Sequence, residues 1–313
     1  MGEAGAAAHP AICAWRALCP EDREPFAIET LQAGEQGSRV YRLLPDGAGA
    51  AVIAKRCIRN AAVVERCVYE RVLPEVGTAA APFYGCVEEP AGDFCWLFVG
   101  ELTGSPYRSH QHKERVAAAR WLGNLHGAAS RSGQARQLPD RSPDHYRSLL
   151  ASARSELATQ VADSAPDSRR QALLGATLLH CERLHSDWAV LEGLCDDGPQ
   201  TLVHGDFVAH NVFMQASGSD PSVLVIDWEK AGWGTPAEDL SSVDLPAYAE
   251  AVRPHWPELP FEALQRLALA GRFFRCLVFL DWLMPRLEPG PDDRPLDDLE
   301  RCNGWLAALT EKL

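Results

Sequence analysis

A chain of 313 residues that is 46% hydrophobic and 23% charged has ample material for a core and is long for one small domain, so one large domain or two lobes is expected. The formal net charge of −13, with no basic run, argues against a nucleic-acid partner. It aids solubility and favours cationic partners through long-range attraction. Ten cysteines without a C-x-x-C pair argue against a zinc site. With no basic-then-apolar start in "MGEAGAAAHPAIC", reduced thiols and a cytoplasmic location are expected.

Residues 1–25 are Ala-rich with two prolines and read as an N-terminal extension. From Phe26 the pattern turns to strands. "RVYRLL", "PDGAG" and "AAVIAKR" predict strand, turn and strand, because Pro-Asp-Gly supplies turn geometry between β-type runs. "AAVVERCVYERVLPEV" has helical spacing, with Val64, Val68 and Val72 on one face. "APFYGCVEE" and "FCWLFVGEL" read as further strands. Residues 26–103 are thus a small sheet-rich unit holding one helix.

After "LTGSPY" the character changes. "ERVAAARWLGNLHGAAS" places Ala118, Leu122, Leu125 and Ala129 on one helical face, and residues 144–195 continue with Leu-rich helical periodicity. "QTLVHGD" and "SVLVIDW" are strand-like, and the tail from about residue 261 is helical again. "ALAGRFFRCLVFLDWLM" is interrupted by Arg272, Arg275 and Asp281, whereas a membrane span needs about 20 nearly uncharged residues. It is a core helix, and no membrane partner is expected.

The polar residues between the two strand-like runs carry chemistry. "HGDFVAHN" has the His-x-Asp start and the Asp-to-Asn spacing of the protein-kinase catalytic loop, and Asp227 in "VIDWE" ends the next strand, where a second metal-binding Asp is required. Phosphoryl transfer needs positioned phosphates, bound Mg²⁺ and a carboxylate near the attacking hydroxyl, and Mg²⁺ takes oxygen ligands. Taken singly, Asp206 reads as a helix cap and Asn211 as a turn residue. On residue types alone, His204, Asp206, His210 and Asp227 also form a candidate transition-metal set.

"HGDFVAHN" followed by "IDWE" resembles the aminoglycoside phosphotransferase and choline kinase family of small-molecule kinases, over residues 26 to about 300. The resemblance implies an α+β, two-lobed protein-kinase-like fold: a β-rich, nucleotide-binding N-lobe over 26–103 and a mainly α-helical C-lobe over 104–313 that is catalytic and substrate-binding. It implies Asp206 as catalytic base or hydroxyl orienter, Asn211 and Asp227 as Mg²⁺ ligands, and His204 and Asp239 as structural support. "LGNLHG" resembles a helix-end feature of the family in which His126 is structural.

Such a kinase needs a strand Lys for the phosphates and a helix Glu to hold it. Lys55 ends "AAVIAK", and Glu70 lies 15 residues on. Glu65 is its rival, and Glu70 fits the family's usual spacing better. Gly34 and Gly37 in "LQAGEQGSRV" resemble the short phosphate-covering turn, although alone they are an ordinary turn signal. "FVGELTG" resembles the linker, with Val99, Glu101 and Leu102 beside the adenine. The expected ligands are ATP, with GTP as an alternative, and Mg²⁺.

The resemblance leaves the acceptor alcohol open. "RLEPGPDDRPLDDLE" is concentrated acid late in the chain, so Asp292, Asp293 and Asp297, with Glu229, are candidates to hold a cationic substrate. An aminoglycoside-like antibiotic, with resistance as its consequence, is ranked first. Choline, homoserine, sugars and macrolides rank second, and Ser or Thr of a ribosomally made peptide third. A choline-type substrate would want an aromatic cage, and the chain has nine Trp. A nucleotide-binding protein without catalysis is the remaining alternative.

Overall fold

In the computed structural model, which describes residues 9–22, 26–33, 37–47, 49–165, 168–215, 222–287 and 293–313, the strands expected around Pro45-Asp46-Gly47 form as an antiparallel pair. The chain divides into two units, each assembled from separated stretches. The first comprises Met1–Trp121, Ser132–Pro139 and Asp206–Gly232; the second comprises Leu122–Arg131, Asp140–Gly205 and Trp233–Leu313.

The first unit starts with a helix, α1 (Pro10–Leu18), inside the segment expected as an extension. His9 Nδ1 accepts from the Ala11 amide at 3.2 Å, and Pro10 occupies the first turn, where its missing N–H is not needed. Strands β1 (Phe26–Ala33), β2 (Arg39–Pro45) and β3 (Val52–Ile58) follow, then helix α2 (Arg59–Cys67), β4 (Phe83–Glu88) and β5 (Phe94–Gly100). The sheet order is β1-β2-β3-β5-β4.

Strand periodicity of two separates its faces. Val52, Ala54, Trp96 and Phe98 pack with Ala11, Ile12 and Trp15 of α1, which makes α1 part of the core. The alternate residues Cys57, Cys95 and Leu97 pack with Ala62 of α2. Lys55, paired with Leu97 across β3 and β5, therefore belongs to the α2 side. From α2 the chain passes through a π-helical turn, Val68–Val72, which buries Val68, Tyr69 and Val72. A second sheet in this unit joins Ser105–Pro106, Val212–Gln215 and Ser222–Val225.

The second unit is mainly helical. Pro143–Asp163, Arg169–Ser186, Phe261–Leu283 and Arg294–Thr310 bury Leu150, Leu157, Leu174, Leu184, Leu277 and Leu306 among others. Tyr146 stacks on Phe274 with centroids 3.9 Å apart. The apolar stretch before residue 283 is the expected core helix, and no described helix is long and apolar enough to cross a membrane. A small sheet joins Asp140–Arg141, Gly232–Gly234 and Thr201–Val203.

One close approach in this unit fixes the segment that holds Asp239. A Cβ on Gly271 would lie 1.7 Å from the Ala237 carbonyl oxygen, so only glycine lets the helix meet the Ala237-Glu238-Asp239 backbone. Gly271→Ala should destabilise the protein by about 1–3 kcal/mol, the range for overpacking, despite alanine's better helix propensity. Urea denaturation tests this, and a variant at least as stable as wild type would remove the constraint.

Candidate active site

The site begins with a hairpin. Val212–Gln215 and Ser222–Val225 pair antiparallel with Val212 opposite Val225, and the Ile226 amide donates to the Asn211 carbonyl at 3.0 Å. This register brings Asn211 beside the chain that ends in Asp227. The first of these strands is a four-residue element that the sequence reading missed. Asn211 is buried, and its Nδ2 donates to both the main-chain oxygen and Oδ2 of Asp206, each at 3.0 Å. Trp121 stacks on Phe207 at 6.1 Å and tilts against the buried Trp228 at 6.4 Å, so aromatic rings flank the loop and the residue after Asp227.

Asp227 is the one described non-glycine residue in the left-handed region, with φ 67°. Asp tolerates this conformation better than most residues, and such strain gathers at functional sites. Its carboxylate bonds the Lys55 ammonium, which also lies 2.8 Å from Glu65 and 3.0 Å from Glu229. Burial alone would favour a neutral Lys55 amine. The charges of Glu65, Asp227 and Glu229 outweigh it and hold the ammonium well above its ordinary range. Burial pushes the Glu65 carboxyl up, against the pull of Lys55.

The structure corrects the expected helix partner of Lys55. The partner of Lys55 is Glu65; Glu70 is exposed and bonds Arg66 at 2.9 Å. Five residues turn a helix by about 140° beyond a full turn, so Glu70 cannot share the buried face of Ala62 and Glu65. Glu229, expected at the substrate, lies 3.0 Å from the Lys55 ammonium and so joins its cluster.

Carboxylate oxygens of Glu65, Asp227 and Glu229 lie within 4.8 Å of one another, and among the described residues this group is the one found whose side chains could hold a metal ion. It contains no histidine, so the set of His204, Asp206, His210 and Asp227 is not assembled. The oxygen donors suit a hard cation such as Mg²⁺. Asn211 fits too: its amide nitrogen is spent on Asp206, which leaves Oδ1, an oxygen donor.

The remaining positions are as follows. Gly37 accepts from Arg56 Nη1 at 2.7 Å, and Arg56 is clamped by Glu89 and lies 3.7 Å over the Phe94 ring. Gly34 and Asp292 fall outside the described residues. Val99 pairs with Ile53 and Phe83, and the Glu101 amide donates to the Ala51 carbonyl at 3.1 Å. Leu102 follows, half-buried. Asp293 is exposed at the start of the last helix. Asp297 and Glu300 both bond Arg169, at 2.8 and 2.6 Å, and Asp298 bonds Arg301. Among the described carboxylates of that run, Asp297, Asp298 and Glu300 are thus each paired with an arginine, Arg169 being shared by two of them.

In the second unit, Asp239 holds the stretch His204–Gly205 that precedes Asp206. Its carboxylate accepts from the His204 amide at 2.6 Å and the Gly205 amide at 3.0 Å. Gly205 has φ 75°, which a side chain would oppose. Buried His126 lies 3.2 Å from Asp239 Oδ2 and 2.8 Å from the Tyr248 hydroxyl. Burial alone would raise the Asp239 carboxyl, but His126, by hydrogen bond and charge, and His204 hold it below its ordinary value.

Comparison with known proteins follows this geometry. A family model described as "Phosphotransferase enzyme family" matches residues 65–259. Among curated proteins no sequence matches. A thermostable mutant of aminoglycoside phosphotransferase APH(4)-Ia superposes with TM-score 0.62 at 17% identity, covering 95% of this chain and 98% of that one. The GDP and kanamycin complex of APH(2")-IIia gives TM-score 0.62 at 14% identity, covering 96% and 98%. Plasmodium vivax ethanolamine kinase gives TM-score 0.62 at 13% identity, covering 95% and 87%. At these identities the likeness is one of fold: mixed α+β and protein-kinase-like.

Because Asp239 is held low, its share of stability is present above about pH 4 and is lost as the pH falls through its lowered folded value. Asp239→Asn should cost about 2–3 kcal/mol at pH 7, the worth of charged hydrogen bonds. The gap from wild type in thermal denaturation should narrow below about pH 4. A gap that stays constant from neutral to strongly acid pH would mean the ionised form contributes nothing.

Proposed function

The chain belongs to the phosphotransferase enzyme family, and from that premise we propose that it transfers the γ-phosphate of ATP to a hydroxyl of a small molecule. The observation that carries this reading is the Asp206–Asn211–Asp227 hairpin with the Lys55–Glu65 pair, all within one unit. Nothing in a plain structural role requires a strained Asp, a buried Lys and an Asn–Asp bond to converge.

Asp206, oriented by Asn211, takes the proton of the acceptor hydroxyl as its oxygen bonds the γ-phosphorus and the bond to the β-phosphate oxygen breaks, releasing ADP. Lys55 turns from Asp227 and Glu229 to the nucleotide phosphates while Glu65 retains it. Asn211 Oδ1 and Asp227 would hold Mg²⁺, which when bound neutralises charge on the β- and γ-phosphates. The backbone of Val99 to Leu102 meets the base, and Gly34 and Gly37 cover the phosphates. GDP in the APH(2")-IIia complex keeps GTP as an alternative donor.

For the acceptor, an aminoglycoside-like cation remains the first choice, supported by the aminoglycoside phosphotransferases of like fold. The pairing of Asp297, Asp298 and Glu300 with arginines removes the local charge argument for it. One observation favours an amino alcohol instead. Trp282 and Trp305 are half exposed and both pack on Phe279, and Arg286 and Arg301 lie over their rings, places that a small ammonium would take by displacing a guanidinium. A phosphate-transfer screen over aminoglycosides, choline, ethanolamine, homoserine, sugars, macrolides and Ser/Thr peptides separates the readings.

Asp206→Ala should lower turnover by about 10²–10⁴-fold, the usual weight of general base catalysis, with nucleotide binding nearly unchanged. Full activity in this variant would remove Asp206 as base. Lys55→Ala should raise the KM for ATP and lower kcat, and unchanged kinetics in steady-state assays would take Lys55 out of the site.

A further inference from the structure

Tyr69 is the residue of this region that the proposed chemistry does not use. It follows Glu65 by four positions, on the same helical side, and sits in the π-helical turn Val68–Val72. Such turns often mark functional sites. Its ring is buried and stacks on Phe83, with centroids 5.2 Å apart and planes 2° from parallel. Its hydroxyl is shut off from solvent and has no hydrogen-bond partner. An orphaned buried O–H is costly, and phenylalanine would fill the same space without it.

The neighbourhood says what the hydroxyl is for. Burial comes first in pushing the Tyr69 phenol well above its ordinary range, followed by the charge of Glu65, with Lys55 and Asp227 also felt. It is therefore a neutral donor, set one helical turn beyond Glu65. Glu65 is itself buried, and the hydrogen bond it receives comes from Lys55 at 2.8 Å. Whatever draws the ammonium away weakens the support of a buried carboxylate, which is expensive unless another donor arrives.

We propose that Tyr69 is a standby donor: its hydroxyl hydrogen-bonds the Glu65 carboxylate when Lys55 is shared with the phosphates of a bound nucleotide. The inference rests on the nucleotide site proposed above. Tyr69 is then a positioning residue, acting through Glu65 on Lys55, and its worth appears only when the ammonium is shared between Glu65 and the phosphates, or is absent. In the free protein the hydroxyl waits without a partner.

Two measurements on the full chain test this. The first is a double-mutant cycle by thermal denaturation of free wild type, Tyr69→Phe, Lys55→Met and the double variant. Tyr69→Phe should leave the melting temperature of wild type unchanged or raised. In the Lys55→Met background, where Glu65 has lost its ammonium for good, the same change should lower it. Equal effects in both backgrounds, or a fall in the wild-type background, overturn the proposal. The second, which also serves if Lys55→Met does not fold, is calorimetric binding of ADP with Mg²⁺. Tyr69→Phe should raise Kd about threefold to tenfold, the worth of one neutral hydrogen bond, and an unchanged Kd overturns the proposal. If wild type itself fails to bind ADP with Mg²⁺, the nucleotide reading fails, while the cycle still judges Tyr69 alone.

Discussion

A buried ammonium held by three carboxylates is the interaction on which the first unit depends. Lys55 keeps 18% of its side-chain surface exposed, and Glu65 only 5%. In so dry a place neither charge is tolerable alone, and the pair is stable because each compensates the other. Asp227 and Glu229 then leave the cluster with more negative than positive charge. That surplus suits a divalent cation, and the left-handed Asp227 backbone is what carries its carboxylate into the cluster. Removal of Lys55 therefore touches folding as well as any chemistry, because it strands Glu65.

The second unit solves a different problem with the same physics. Adjacent buried carboxylates, Glu238 and Asp239, cannot both be ionised cheaply. Asp239 wins the charge because His126 and two backbone amides face it. Glu238 is pushed up to about 7, first by burial and then by Asp239, against Arg275 and the Tyr146 hydroxyl that donates to it at 2.9 Å. The Gly271 contact fixes this two-residue segment in space. The stretch before Asp206 is thereby held through its main chain, with the His204 and Gly205 amides donating to Asp239.

Much of this was legible in the sequence because it is local. The turn at Pro45-Asp46-Gly47, the strand ending at Lys55, the helix after it and the spacing of Asp206, Asn211 and Asp227 are patterns within short windows. What was missed depends on phase or on distance along the chain. A spacing rule favoured Glu70, whereas helical phase puts Glu65 on the buried face beside Ala62. The helix Pro10–Leu18 looked like an extension because its three buried residues are spread among alanines, and their partners lie on strands far along the chain. Strand Val212–Gln215 is too short to declare itself beside a polar motif.

The acidic run near the end of the chain shows the same limit with more consequence. Read along the sequence it is a patch of surplus negative charge. Folded, Asp297 and Glu300 meet Arg169, which is 128 positions from Asp297, and no window of sequence contains that pair. Exposed pairs of this kind contribute little to stability, but they do cancel the field a cationic ligand would feel. Exposed aromatic faces such as those of Trp282 and Trp305, over which guanidinium groups lie, show a different way for this fold to hold positive charge. Net charge alone, even −13, steers encounter and solubility; the choice between ligands is set by contacts at short range.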